Sequence, residues 1–207
     1  MRFIAAFIIT VVIIALAVVG FAYSGWYDVS ATSPHGGAVA WLLSTTSHAS
    51  VERRAGDIRV PDLSGEDRLL AGASDFDAMC ADCHGAPGQE RGPVGQGLNP
   101  SPPDLEHAAE HLTAAELFWV TKHGIRMTGM PAWGVTHDDE ALWPVVAFVR
   151  HLPELDAGRY QDMLARARAR GTGHHGAGED ERPEPARRSA AEPADADDGH
   201  DHGDHPH

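Results

Sequence analysis

The chain has 207 residues and a formal net charge of −14 with histidine neutral. So acidic a balance excludes a nucleic-acid partner, which would need a basic face. Two cysteines exclude both a disulfide-rich scaffold and a four-cysteine zinc site. Composition divides the chain into an anchor over 1–23, a connector over 24–63, a domain over 64–170 and a polar tail over 171–207.

Phe3 to Tyr23 carries no charge, and Thr10 is its only clearly polar residue. At about 1.5 Å per residue the run is long enough to cross a bilayer core of roughly 30 Å. Arg2 precedes it, and no Lys or Arg follows until Arg53. The positive-inside rule puts the N-terminus in the cytoplasm and the rest outside. Gly20-Phe21-Ala22 resembles a signal-peptide cleavage site, but a run this long favours an uncleaved anchor.

The connector opens as loop through Ser30–Gly37. Val39-Ala40-Trp41-Leu42-Leu43 then forms an apolar patch with two readings. One is a short helix packed on the following domain; the other is contact with a membrane surface or a membrane partner. Arg53, Arg54 and Arg59 read as solvated charge.

From Ser64 the pattern turns helical. Ser64 is placed to cap a helix with Glu66 and Asp67 in its first turn. Leu69, Leu70, Ala73, Phe76 and Met79 supply its apolar stripe. It leads into Cys80-Ala81-Asp82-Cys83-His84.

C-x-x-C-H is the attachment signature of c-type haem. One helical turn puts both thiols on one side, able to form two thioethers, and holds His84 as proximal iron ligand. A zinc site lacks a second cysteine pair. A thioredoxin-like pair would sit in a βαβ pattern that is absent. A plain disulfide would leave His84 unexplained. The expected cofactor is one covalent haem c per chain.

Downstream, Thr113-Ala114-Ala115-Glu116 is a capping box for a helix ending near Gly124. A third helix opens at Asp138-Asp139-Glu140, with Leu142, Trp143, Val146, Phe148 and Val149 apolar and Pro153 ending it. Pro144 falls in its first turns. The candidates for a sixth iron ligand lie in Lys122–Gly134. Met130 is favoured, because Gly129 permits close backbone approach and Pro131 fixes the chain direction. Met127, His123 and an open sixth position remain alternatives. His/Met ligation raises the potential and suits electron transfer.

The haem motif followed by Met130-Pro131 resembles class I cytochrome c. The segments Asn99–Leu105 and His123–Gly134 are similar to those of small membrane-anchored bacterial monohaem cytochromes, which share a domain type with haem subunits of cbb3-type oxidases. The resemblance covers about Ser64 to Leu155. It implies an all-α fold around one covalent haem, with the N- and C-terminal helices crossing near a haem edge. It also implies a proline carbonyl that accepts a hydrogen bond from the proximal imidazole. Pro93, Pro100, Pro102 and Pro103 are all candidates. Trp133, by the same resemblance, donates its indole N–H to a haem propionate; ordinary packing is the other reading. Trp119, Trp143 and Phe148 read as core.

Gly171 to His207 has almost no large apolar residue and reads as disordered. Its histidine clusters, His174-His175 and His200 to His207, fit either a solvated tail or labile Cu(II), Ni(II) or Zn(II) binding. His48, His107, His111, His137 and His151 read as surface residues.

The expected function is an electron carrier rather than an enzyme. It sits in the bacterial inner membrane by residues 3–23, faces the periplasm, and exchanges electrons with redox proteins or a respiratory complex. The alternatives are a haem subunit of a larger oxidase or dehydrogenase, and a redox or metal sensor or metal-delivery protein working through the tail.

Overall fold

The computed structural model describes residues 1–172; the tail beyond, with its histidine clusters and expected disorder, lies outside the described residues. Among these residues the regular structure is helical, and no β-strand forms.

Helix α1 (Arg2–Tyr23) is the apolar run, about 33 Å long at 1.5 Å per residue. Its mean hydropathy reaches 3.0 and none of its residues is buried. A helix of this length and composition is able to cross a membrane, a property that signal sequences share.

Helix α2 (Gly37–Ala55) occupies much of the expected connector. Val51 and Ala55, one turn apart, are its buried positions, and it packs on α7. The Val39–Leu43 patch does not pack on the domain: Val39, Trp41, Leu42 and Leu43 are all exposed, Trp41 at 66%. The reading of that patch as a packed short helix is therefore corrected. The contact is made by the other end of the helix, where only two small apolar residues mark it.

Helix α3 (Glu66–Met79) starts one residue later than the serine cap predicts. Gly65, at φ 108°, is the N-cap and provides no side-chain bond. The backbone N–H of Ser64 instead bonds the Asp62 carboxylate at 3.0 Å, an Asx turn that takes the chain off the helical path before the helix begins. The short helix α4 (Ala81–His84) follows, then α5 (Pro93–Gly97) and α6 (Leu105–His111).

Helix α7 (Ala114–His123) has the full capping box, with Thr113 and Glu116 bonded reciprocally, and ends at Gly124. Helix α8 (Asp139–His151) is capped by Asp138, whose side chain accepts from the Ala141 N–H. Leu152–Glu154 tightens into a 3-10 turn at Pro153. Helix α9 (Ala157–Arg170) is capped by Asp156 and closed by Gly171 in the left-handed conformation.

The core is the crossing of α3 with α8, the arrangement that the family resemblance implies for its terminal helices. Gly72 makes the crossing close. A Cβ at this position would collide with the backbone carbonyl of Pro144 and come within 2.9 Å of the Phe148 Cβ. Around this contact Leu70, Phe76, Leu142, Val145, Val146 and Phe148 are almost wholly buried. At roughly 1.5–3 kcal/mol per large apolar side chain, this cluster outweighs any surface ion pair.

Helix α9 lies antiparallel along α3. Tyr160, fully buried, packs edge-on to Phe76 and donates its hydroxyl to Asp77 at 2.8 Å. At the other end Arg170 reaches Asp67 at 2.5 Å and Glu66 at 3.1 Å, and Arg166 pairs with Glu66.

Candidate functional site

Cys80 is the hinge between α3 and α4, with φ −120° and ψ −39°. Its carbonyl accepts from the N–H groups of Cys83 at 3.1 Å and His84 at 2.9 Å. That single turn fixes the three motif residues relative to one another. Both cysteines are free thiols. Cys80 is buried, and desolvation pushes its thiol up to about 12, with the Asp75 charge adding to the effect. Burial thus keeps the Cys80 thiol protonated, a site that an uncharged thioether also suits.

The His84 ring has one defined partner. Its Nδ1 lies 2.9 Å from the carbonyl oxygen of Pro103. A carbonyl can only accept, so Nδ1 carries the proton and Nε2 keeps its lone pair. Burial lowers the affinity of the ring for a second proton, and Arg91 lowers it further; the Pro103 bond works against both. The result is a neutral, oriented imidazole with one nitrogen available to a metal. Of the four prolines that the spacing left open, Pro103 is the one in contact. Asp104 immediately after it caps α6, its carboxylate accepting from the Glu106 N–H at 2.9 Å. The proline is thus held at the root of a helix.

Met130 belongs to a loop that is bonded to itself. The Met130 N–H donates to the Thr128 hydroxyl at 3.1 Å, and the Met130 carbonyl accepts from Ile125 at 3.4 Å. Gly124, at φ 63°, lies so close beneath that an added Cβ would be 2.6 Å from the Met130 carbonyl oxygen. Only glycine combines that φ with that contact. Met127 differs sharply. It stands 86% exposed with φ 61°. His123, the other candidate, is exposed at the end of α7, its ring 4.9 Å from Trp119.

The two loops meet through Leu98, whose side chain covers Gly129. Leu98 follows α5, and α5 packs on α4. A chain of contact therefore runs from the cysteine turn to the residue before Met130. Trp133 is half-buried, packs against the main apolar core, and lies 5.6 Å from the His137 ring in an edge-on arrangement. His137 is thus not a plain surface residue. Trp143 and Phe148 are core as expected; Trp143 stacks on Phe118 at 3.9 Å. Trp119 is only half-buried and lines a cavity of about 370 Å³ with Arg54, Arg59 and Lys122. A second cavity, of about 440 Å³, reaches His84 from the side of Gly85–Arg91 and Asp104–Glu106; Met130 does not line it.

The residues present fit a c-type haem. The candidate donors are two free thiols on one turn, an imidazole with its Nδ1 proton fixed, and a thioether on a self-bonded loop. Residues 67–149 match the family model of the cytochrome c oxidase cbb3-type subunit III. Residues 67–149 are a cytochrome c haem domain. Its fold is the all-α class I cytochrome c fold, preceded by the apolar helix α1. No curated protein and no solved structure matches the chain. The cytochrome c domain carries a haem-based electron-transfer role. The match begins after α2 and stops before α9, so both helices lie outside the matched residues.

Proposed function

We propose that this chain is a membrane-anchored monohaem c-type cytochrome that passes single electrons between respiratory components. The observation that carries the reading is the His84 Nδ1–Pro103 bond of 2.9 Å directly after two unpaired cysteines. A solvated histidine gains nothing from that arrangement; a proximal ligand gains a fixed ring plane and a more basic Nε2.

Haem, when bound, supplies reversible one-electron chemistry at iron. Cys80 and Cys83 would tether it covalently, one group per chain. His84 would hold the iron through Nε2 and Met130 through its sulfur. Thr128 and Ile125 hold the Met130 backbone, which would keep that ligand in place in both oxidation states. A soft, neutral sulfur favours the reduced state and raises the potential. Trp133 donates to a propionate. With His84 and Met130 both holding the group, the site would transfer electrons rather than activate a substrate.

Helix α1 crosses the bacterial inner membrane, and Arg2 holds the N-terminus in the cytoplasm. The haem domain then stands in the periplasm, where its partners are redox proteins or a respiratory complex.

A second reading is a haem subunit of a larger oxidase. Two observations favour it: the matched family is named for an oxidase subunit, and α1 presents apolar side chains all round with none buried. Co-purification from mild detergent separates the readings. A carrier elutes alone, and a subunit elutes with stoichiometric membrane partners.

The decisive test of the site is absorption spectroscopy of the oxidised holoprotein and of Met130→Ala. The expected result is a weak long-wavelength sulfur-to-iron charge-transfer band that disappears in the variant, while Met127→Ala keeps it. High-spin iron without that band in the wild-type protein would overturn Met130 ligation and the electron-carrier reading with it.

A further inference from the structure

The sequence reading placed His107 and His111 separately on the surface. The structure winds Leu105–His111 into α6 and so puts His107, Glu110 and His111 on one face, at i, i+3 and i+4. Their nitrogen and carboxylate donor atoms all lie within 4.8 Å of one another. The two imidazole rings are 4.3 Å apart, and His107 Nδ1 is 3.9 Å from Glu110 Oε2.

We propose that His107, Glu110 and His111 form a binding site for a divalent transition-metal ion of the Cu(II), Ni(II) and Zn(II) class. Two imidazoles and a carboxylate are the donors these ions prefer over Mg(II) or Ca(II). Ligand atoms bound about 2.0 Å from one tetrahedral ion stand about 3.3 Å from each other. The donors need to close by only about an ångström and a half, which side-chain rotation supplies because all three side chains are exposed. A fourth position is left to water. Cu(II) binds tightest of the three by the general order of affinities.

The helix is rigid enough to hold the pair in register. Asp104 caps its start. At its end the Arg150 guanidinium, reaching from α8, donates to the carbonyls of Ala109 at 2.5 Å and Leu112 at 3.1 Å. Those are the terminal acceptors from which a short helix would otherwise fray. Ala109 is buried against the core, so the opposite face is turned outward. Glu106 adds negative charge beside the site, and α6 itself carries no Lys or Arg; the cation at its end, Arg150, is engaged by the Ala109 and Leu112 carbonyls.

The test uses the full-length holoprotein with its six tail histidines, His174, His175, His200, His202, His205 and His207, changed to alanine. This removes the competing imidazoles of the tail. Cu(II) and Zn(II) chloride are titrated by calorimetry, and the Cu(II) form is examined by electron paramagnetic resonance. One Cu(II) per chain with nitrogen hyperfine structure is expected, and Zn(II) binds more weakly. Adding His107→Ala or His111→Ala lowers affinity by about tenfold or more, and Glu110→Gln lowers it less. An unchanged haem spectrum shows that each variant is folded. No saturable binding in the parent, or equal binding after His107→Ala and His111→Ala together, would overturn the site.

Discussion

The α3–α8–α9 scaffold and the two loops around His84 and Met130 are held by opposite means. The scaffold interlocks side chains: Phe76 contacts Phe148 at 5.1 Å and Tyr160 at 6.3 Å between ring centroids, and all three are fully buried. The loops are held by backbone bonds, a left-handed glycine and prolines, and their apolar residues Leu98, Ile125, Met130 and Trp133 are only half-buried. The contrast teaches a division of labour. One region completes its own core. The other leaves its apolar side chains half-buried, as the proposed haem site requires.

The strongest way to break this comparison is to remove the tether. Cys80→Ala with Cys83→Ala should abolish covalent haem altogether, measured as haem stain surviving on denaturing gels. Limited proteolysis of that variant should cut within 85–104 and 124–134 before it cuts α3, α8 or α9. Equal cleavage across the domain would show that the scaffold does not stand apart. Next in size is the helix crossing. Gly72→Val forces a side chain into the Pro144 carbonyl and should cost about 3 kcal/mol in denaturant unfolding, with the iron-ligand spectrum retained in the folded fraction.

Tyr160→Phe is a smaller probe. It deletes the hydroxyl bond to Asp77 and should cost about 1 kcal/mol at neutral pH. Its pH dependence has a defined sign. Burial first, and then the bond to Asp77, raise the Tyr160 phenol far above its ordinary 10.0. A raised folded value contributes stability that is fully present below about pH 10 and lost as pH climbs beyond it, because only the unfolded chain ionises. Wild-type stability should therefore fall between neutral pH and about pH 11, and Tyr160→Phe should flatten that fall. Arg170→Ala is the smallest. Its partners are exposed, so the loss should be about 0.5 kcal/mol and should vanish in high salt.

Legibility followed the range of the forces involved. The Thr113–Glu116 capping box, the Asp138 cap and Gly124 act within four residues, and each stands where the sequence predicts it. The C-x-x-C-H turn and the Met-Pro loop are equally local. Pro103 was not separable from Pro93, Pro100 and Pro102, because the contact with His84 is made by a loop returning over 19 residues. A short helix at Val39–Leu43 was one reading, but the full length of α2 and its packing end were missed, because Val51 and Ala55 are its only buried positions in a stretch of Ser, Thr, His and Arg. Helix α6 was missed for the same reason: Ala109 is its single buried residue, and its stability comes from Asp104 and from Arg150, 38 residues beyond Leu112. The serine cap failed because Ser64 is engaged by the Asp62 carboxylate in an Asx turn and Gly65 takes the cap position instead.

The antiparallel latch of α9 on α3 has a mechanical consequence. Arg166 and Arg170 fasten the last turn of the domain to Glu66 and Asp67 in its first turn. The chain enters and leaves the domain through one door. A pull on the segment beyond Thr172 then falls first on those ion pairs, which peel one after another, and passes directly to the chain arriving from α2. Tyr160 and the cysteine turn, at the opposite end of α3, are loaded last.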